Sequence, residues 1–248
     1  MVKWEVQNFA RGSIPRNIMS LSVPRTAAQL INVLYSVVDR VYLGRLPGHL
    51  ALTGLGLTIP IVSIIMGFAN LCGTGGAPLC SIKRGQGDNE EAERVLGNAF
   101  TLLLIFGAAV TAVFLWFKQP LLYLFGASDA TYPYADAYMT SYLLGTILVM
   151  IGLGMNPFIT AQGFGGVGMM TVGLGALVNI VLDPIFIFGM GMGVRGAALA
   201  TVIAQGCSAL WVLRFLTGRR AILRLRVRNL ALCAPRVRTT MTLGLSHF

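Results

Sequence analysis

The run Asn179-Ile180-Val181-Leu182-Asp183-Pro184-Ile185-Phe186-Ile187-Phe188 sets a carboxylate in the middle of an otherwise apolar stretch of about membrane-spanning length. A charged side chain at the centre of a bilayer costs about 2.5–3.5 kcal/mol even on the lenient insertion scale, so it normally faces a cavity, a partner or an ion. A second carboxylate, Asp39, closes the stripe Gln29, Asn32, Ser36, Asp39. The three-four-three spacing puts all four on one helix face. Only nine residues of the chain are acidic, and two of them lie in apolar helices. The first hypothesis from this pattern is passage of ions or cationic solutes.

Composition agrees with a membrane setting. Hydrophobic residues make up 55% of the 248-residue chain and charged residues 11%, and the mean hydropathy is +0.73. Soluble domains carry about 25% charged residues. A water-soluble fold would need more polar surface than this chain supplies. The net charge of +10 invites a nucleic-acid reading, but the basic residues lie in short loops and tails between apolar blocks, with no basic face interleaved with aromatics; nucleic acid is set aside. Cys72, Cys80, Cys207 and Cys233 form no CxxC and have no histidine at zinc spacing, which argues against a metal site, and the three in apolar segments read as packing residues. The first ten residues lack the apolar core of a signal peptide.

Six apolar blocks, at 17–43, 51–80, 95–117, 134–156, 168–190 and 195–216, can each cross a hydrocarbon core about 30 Å thick. This predicts an all-α polytopic membrane protein built as a six-helix transmembrane bundle. The second block is long and glycine-rich, which suggests a tilted or bent helix. Pro24 removes a backbone donor and is expected to bend the first span; the glycines of 165–175 and 189–196 suit close packing or a short re-entrant turn. Segment 1–16 reads as a cytoplasmic N-terminal stretch, 17–216 as the bundle, and 217–248 as a basic cytoplasmic linker. The asymmetry of basic charge orients them. Lys3, Arg11, Arg16, Arg25, Lys83, Arg84, Arg94 and the eight arginines from Arg214 to Arg238 fall on one side. Only Arg40, Arg45, Lys118 and Arg195 fall on the other. Both termini are therefore expected in the cytoplasm, with the bundle in the plasma membrane. Asp88-Asn89-Glu90-Glu91-Ala92-Glu93 reads as a capped acidic first turn. The arginine-rich stretch 219–238 reads as a solvated linker or as a segment lying on anionic headgroups.

Enzymatic motifs are missing or out of context. Gly191-Met192-Gly193-Val194-Arg195-Gly196 matches GxGxxG but follows an apolar span rather than a strand. There is no Walker sequence, no HExxH and no GxSxG, and the carboxylates lack the arrangement of an intramembrane aspartyl protease. The acidic constellation is better formed. Asn179 and Asp183 share a face, Pro184 disrupts the bond to the carbonyl of Ile180, Thr201 adds a hydroxyl, and Tyr35 lies one turn from Asp39. These are oxygen donors without nitrogen or sulfur, a set suited to a hard monovalent cation or a shared proton and not to a transition metal. The alternative is that Asp183 ends its helix at the interface and is simply solvated.

Several blocks, in order, resemble the multidrug and toxic compound extrusion (MATE) family. They are Pro24 followed by Asp39-Arg-Val-Tyr-Leu-Gly44, Gly73-Thr-Gly-Gly-Ala77, Ser81-Ile-Lys-Arg-Gly85, Asn179-Ile-Val-Leu-Asp183-Pro184 and Gly196-Ala-Ala-Leu-Ala-Thr201. Their order and spacing match the amino-terminal half of that family across nearly the whole chain. The resemblance implies one six-helix lobe of a twelve-helix antiporter, not an enzyme, exporting cationic or amphipathic drugs and toxins in exchange for Na+ or H+. It implies no cofactor beyond the coupling ion. It places cation coupling at Asp39, Asn179, Asp183 and Thr201, with Tyr35 as a further contributor, Pro24 and Pro184 as helix-bending residues, and Na+ as the only metal at these positions. The implied partners are the lipid bilayer, a small cationic or amphipathic substrate, and a missing second lobe or another half-transporter. The chain stops at Leu243-Gly-Leu-Ser-His-Phe248, where that second lobe would begin, so a truncated chain is expected. The alternatives are a lipid-linked oligosaccharide flippase of the same superfamily and a non-transporting half that only binds a cation. The loop Gln162-Gly-Phe-Gly-Gly-Val-Gly168 lacks the charged residues usual in the family.

Orientation is testable on the assembled membrane. Single cysteines at Gly48 and Gln86 should be labelled from opposite faces by an impermeant maleimide; labelling of both from one face refutes the assignment.

Overall fold

The computed structural model describes residues 14–45 and 50–245. The expected N-terminal segment and the Gly48 loop lie largely outside them. Among the described residues every regular element is helical: α1 Ile14–Gly44, α2 Leu50–Gly85, α3 Asn89–Leu124, α4 Tyr132–Leu144, α5 Thr146–Ala161, α6 Gly165–Pro184, α7 Val194–Thr217 and α8 Ala234–Gly244. A π-helical turn, Ile185–Gly189, extends α6, and a short 3-10 turn, Val227–Asn229, precedes α8. The GxGxxG match therefore follows a helix, and its glycines serve a turn: Gly191 and Gly193 have φ of +64° and +56°, conformations open mainly to glycine.

Among the described residues four helices are long and apolar enough to cross a membrane alone: α2, α3, α6 with its π-turn, and α7; α4 and α5, bent by 60° at their junction, meet the same test only when taken together. The first of the six expected spans, α1, has the length, at 31 residues, but its polar stripe and Arg25 lower its hydropathy. The block expected at 134–156 is thus not straight. It breaks at Gly145, where a Cβ would lie 2.3 Å from Cγ1 of Val202 on α7; the bend follows the surface of that helix. The second span, expected to be tilted or bent, is one helix of 36 residues that carries Pro60 and Pro78 without interruption. At 1.5 Å per residue it is about 54 Å long.

Close packing of the glycine-rich segments positions the interior. A Cβ on Gly73 of α2 would lie 2.6 Å from the carbonyl oxygen of Gly154 on α5, and one on Gly175 of α6 would lie 2.5 Å from Oγ of Ser208 on α7. Small residues let backbones approach where lipid offers no hydrophobic drive for association. Segment 165–175 is accordingly packed helix and not a re-entrant turn. Tyr142, Phe158, Ile61, Ile65, Leu96 and Leu103 fill the core, while Val113, Trp116, Leu177 and Leu210 face outward. Such an apolar exterior is the ordinary condition of a helical bundle in hydrocarbon. Cys72 and Cys80 are buried, with Sγ of Cys80 donating to the carbonyl of Ala92.

The basic stretch, expected as a solvated linker or as a segment lying on anionic headgroups, is not a free linker. Residues 219–233 form a strap docked on the lobe by buried polar side chains. Gln162 Oε1 accepts from the Leu223 amide at 2.9 Å. Glu93 accepts from the Arg224 amide at 3.1 Å and pairs with Arg226 Nε at 3.2 Å. Asn98 accepts from the Cys233 amide at 2.9 Å and donates to the Ala231 carbonyl at 2.8 Å. Beyond the strap, Arg236 makes a two-pronged pair with Glu91, with Nη2 at 2.8 Å from Oε2. The acidic turn thus both caps its helix, through Asp88 Oδ1 and the Glu91 amide at 3.0 Å, and holds arginines located after α7. α8 then packs on α2, with Gly75 and Gly244 at the crossing. Gln162, in the loop that lacks family charges, is wholly buried and also offers its backbone carbonyl to Arg84 at 2.8 Å.

Replacing Asn98 by Ala leaves strap amide and carbonyl groups unpaired and should lower stability by about 2–3 kcal/mol. Thr239→Ala, at an exposed position, should change it by less than about 0.5 kcal/mol. Thermal unfolding in detergent distinguishes the two; equal effects would mean that the strap is not held through Asn98.

Candidate functional site

Asp183 lies on the buried face of α6 with no solvent exposure. Its helix does not end there: Pro184 is still α-helical and the chain continues into the π-helical turn. Both facts remove the reading of Asp183 as a solvated helix end. Asn179, one turn earlier, donates through Nδ2 to Asp183 Oδ1 at 3.3 Å and to Thr201 Oγ1 on α7 at 3.4 Å. Thr201 in turn donates to the carbonyl of Ala197 at 3.0 Å. The network therefore joins the two helices predicted to carry it.

Asp39 reaches the same level from α1, which packs along α6. Tyr42, nearly one turn beyond Asp39, meets Phe188 edge-on with ring centroids 6.3 Å apart. Phe188 lies five residues beyond Asp183, so the two carboxylates stand at matching heights on neighbouring helices. Asp39 is half-buried. Among the described residues, Asp39 Oδ1, Asp183 Oδ2 and Asn179 Oδ1 are shielded from solvent and have no hydrogen-bond partner. Buried polar oxygens are rarely left so. Three such acceptors, two of them carboxylate oxygens, together with the Thr201 hydroxyl make a donor set suited to a hard cation, or to a proton held between carboxylates.

A cavity of about 600 Å³ opens between α1, α2, α5, α6 and α7. At the end where α1 begins and α2 and α5 end, its lining includes Pro24, Arg25, Pro78 and Ala161. Tyr35, Asn179 and Thr201 border it. From Gly165 to Asn179 the wall of α6 runs about 21 Å. Neither aspartate lines the cavity; both lie past Asn179. Of the four residues expected to hold the cation, Asn179 and Thr201 touch the cavity, and Asp39 and Asp183 sit behind it. Arg25, at that end, is the one charged residue of the lining among the described residues.

The MatE family model matches residues 24–185, a span that holds Pro24, Asp39, Asn179 and Asp183. The chain belongs to the MatE family. A multidrug export protein MepA from Staphylococcus haemolyticus is 28% identical over 221 residues, covering 89% of this chain and 49% of that protein. The protein of the same name from Staphylococcus aureus is 28% identical over 203 residues, covering 82% and 45%. A crystal structure of a MATE protein in complex with MaD3S superposes with a TM-score of 0.89 at 28% identity, covering 95% of this chain and 53% of that one. A MOP superfamily transporter from Pyrococcus furiosus gives 0.89 at 28%, covering 95% and 52%. The chain thus spans about half the length of the relatives it matches, and it corresponds to the amino-terminal half of MATE transporters. MATE proteins are multi-pass membrane transporters and not enzymes.

Within this MatE lobe the geometry adds residues that sequence reading passed over. Asn156 on α5 borders the cavity. Its Nδ2 donates to the Gly168 carbonyl at 3.3 Å, and its Oδ1 is shielded without a partner among the described residues. Asn156-Pro157 repeats the pattern of Asp183-Pro184, a polar residue before proline inside an apolar helix, and the same rule would have found it. Gln205 and Ser208 on α7 also line the cavity; their spacing in a small-residue helix carries little signal.

Proposed function

We propose that this lobe is the ion-coupling half of a secondary active exporter of cationic or amphipathic compounds, driven by Na+ or H+ entering at Asp39, Asn179, Asp183 and Thr201. The observation that carries the reading is the pair of carboxylates at one level of α1 and α6, with unpartnered oxygens just behind the polar cavity. Two ionised carboxylates so placed repel each other in a medium of low dielectric, and each is expensive to hold there unpaired. A sodium ion or a proton relieves both costs, so α1 and α6 pack more closely when loaded than when empty. That difference in packing couples the ion to the cavity, because Tyr35 and Asn179 belong both to the site helices and to the cavity wall. The cytoplasmic position of the Pro24–Arg25 end of the cavity and of both termini is part of this proposal and rests on the basic-charge asymmetry. A single arginine in the cavity lining and acids behind it support a cationic cargo over an anionic oligosaccharide lipid.

Alternating access needs two bundles moving about a midplane site. The 248-residue chain alone in liposomes is therefore expected not to export a fluorescent organic cation, and robust efflux without a partner would instead mean a working homodimer.

In a two-lobe form made by joining this chain to the second lobe of a relative, Asp183→Asn should insert at wild-type levels. It should weaken ion binding at least about thirtyfold, as expected when one member of a buried charged cluster is removed, and uncouple export from the ion gradient. Ion-driven efflux unchanged across the neutral pH range would remove Asp183 from the coupling site.

A further inference from the structure

The strap has two unlike sides. Its underside is fixed: Ala221 and Leu223 are buried at 4% and 1% exposure, and Gln162, Glu93 and Asn98 hold Leu223, Arg224 and Cys233. Asn229 is buried as well, and Gly97 of α3 lies so close to its carbonyl that a Cβ there would sit 2.2 Å away. With its register fixed in this way, the strap cannot turn its other side inward.

That other side presents Arg219, Arg220, Ile222, Val227, Arg228 and Leu232. Val227 is 86% exposed, at the 3-10 turn between Arg226 and Arg228. No acidic residue occurs from Arg214 to Gly244. The glutamates at this end are already engaged, Glu90 and Glu91 with Arg94, Glu91 with Arg236, and Glu93 with Arg226. Arg219, Arg220 and Arg228 are left without a carboxylate among the described residues. The strap crosses the end of the bundle where α2, α5 and α7 terminate, so this surface lies at the height of a membrane interface.

We propose that the strap is a membrane-binding surface for anionic phospholipid, with Arg219, Arg220 and Arg228 holding headgroup phosphates while Val227 and Ile222 enter the boundary of the acyl chains. Guanidinium forks match phosphate oxygens geometrically, and basic residues next to exposed apolar ones are the chemistry of interfacial anchoring. Because the same segment is pinned to α3 and α5 and leads into α8, lipid held there bears on how α8 is seated against the lobe.

The test uses the whole chain in vesicles of phosphatidylcholine alone or mixed with phosphatidylglycerol. The four native cysteines are replaced, and Val227→Cys carries an environment-sensitive fluorophore. With phosphatidylglycerol the probe should shift to the blue, be quenched by lipids bearing a nitroxide near the headgroup, and become shielded from aqueous iodide. Each of R219Q, R220Q and R228Q should lower the preference for anionic lipid about fivefold, the factor for one arginine at such a surface. These residues contact no carboxylate of the lobe, so the variants should unfold at the parent temperature. If one does not, a salt titration of the unsubstituted arginines gives the same reading, since added salt must release the probe. Quenching by iodide and not by lipid in both compositions would overturn the proposal and leave the strap facing water. Shielding from both quenchers would overturn it in favour of a protein partner. Since the coupling variant Asp183→Asn leaves the strap untouched, failure here and failure of the coupling site are distinguishable.

Discussion

A carboxylate in hydrocarbon must be matched, and much of this lobe is arranged around that requirement at Asp183. Three helices converge on it: α6 carries it, α7 supplies Thr201, and α1 brings Asp39 alongside. Removing one of these groups does not remove the cost of the others, because a partly satisfied polar cluster in low dielectric is worse than none. The close contact between α6 and α7 sits beside this cluster, with Gly175 against Ser208 one turn before Asn179. Only backbones at short distance leave a cluster this small shielded from lipid on one side and open to a cavity on the other.

Much of the site was legible in the sequence, for a definite reason. In an apolar helix polar residues are few, so helical spacing alone assigns Asn179 and Asp183 to one face and Gln29, Asn32, Ser36 and Asp39 to another. The order of spans was legible on the same ground. What spacing could not show was depth. Nothing in the residues said that the cavity would stop at Asn179 and Thr201 with the aspartates behind it, since that depends on how α1 leans on α6. Nor did Pro184 reveal that its helix would widen into a π-turn instead of stopping, because proline's missing donor is compatible with either outcome.

The strap was the largest gap. A run of arginines in sequence looks the same whether it is solvated, laid on lipid or docked on protein, since all three surroundings accept positive charge. Its anchors are single residues far away along the chain, Glu93, Asn98 and Gln162, each readable for another purpose. Glu93 passes for part of a helix-capping acidic turn. Asn98 passes for a helix residue near an interface, and Gln162 for a loop residue. Long-range pairing of one backbone amide with one side chain leaves no periodic trace, whereas burial of a helix face does.

The length of α2 has a mechanical consequence. At about 54 Å it exceeds a hydrocarbon core of about 30 Å by far more than ordinary tilt of about 20° absorbs, so one or both of its ends stand in the aqueous phase like the arm of an oar. Gly73, near the two-thirds point of the helix and pressed against Gly154, is well placed as a fulcrum. Rocking about that point by about 10° carries the far tip, at Leu50, through about 6 Å and the near tip, at Gly85, through about 3 Å. The arms are unequal, so a small displacement at the Gly85 end is matched by about twice the excursion at the Leu50 end.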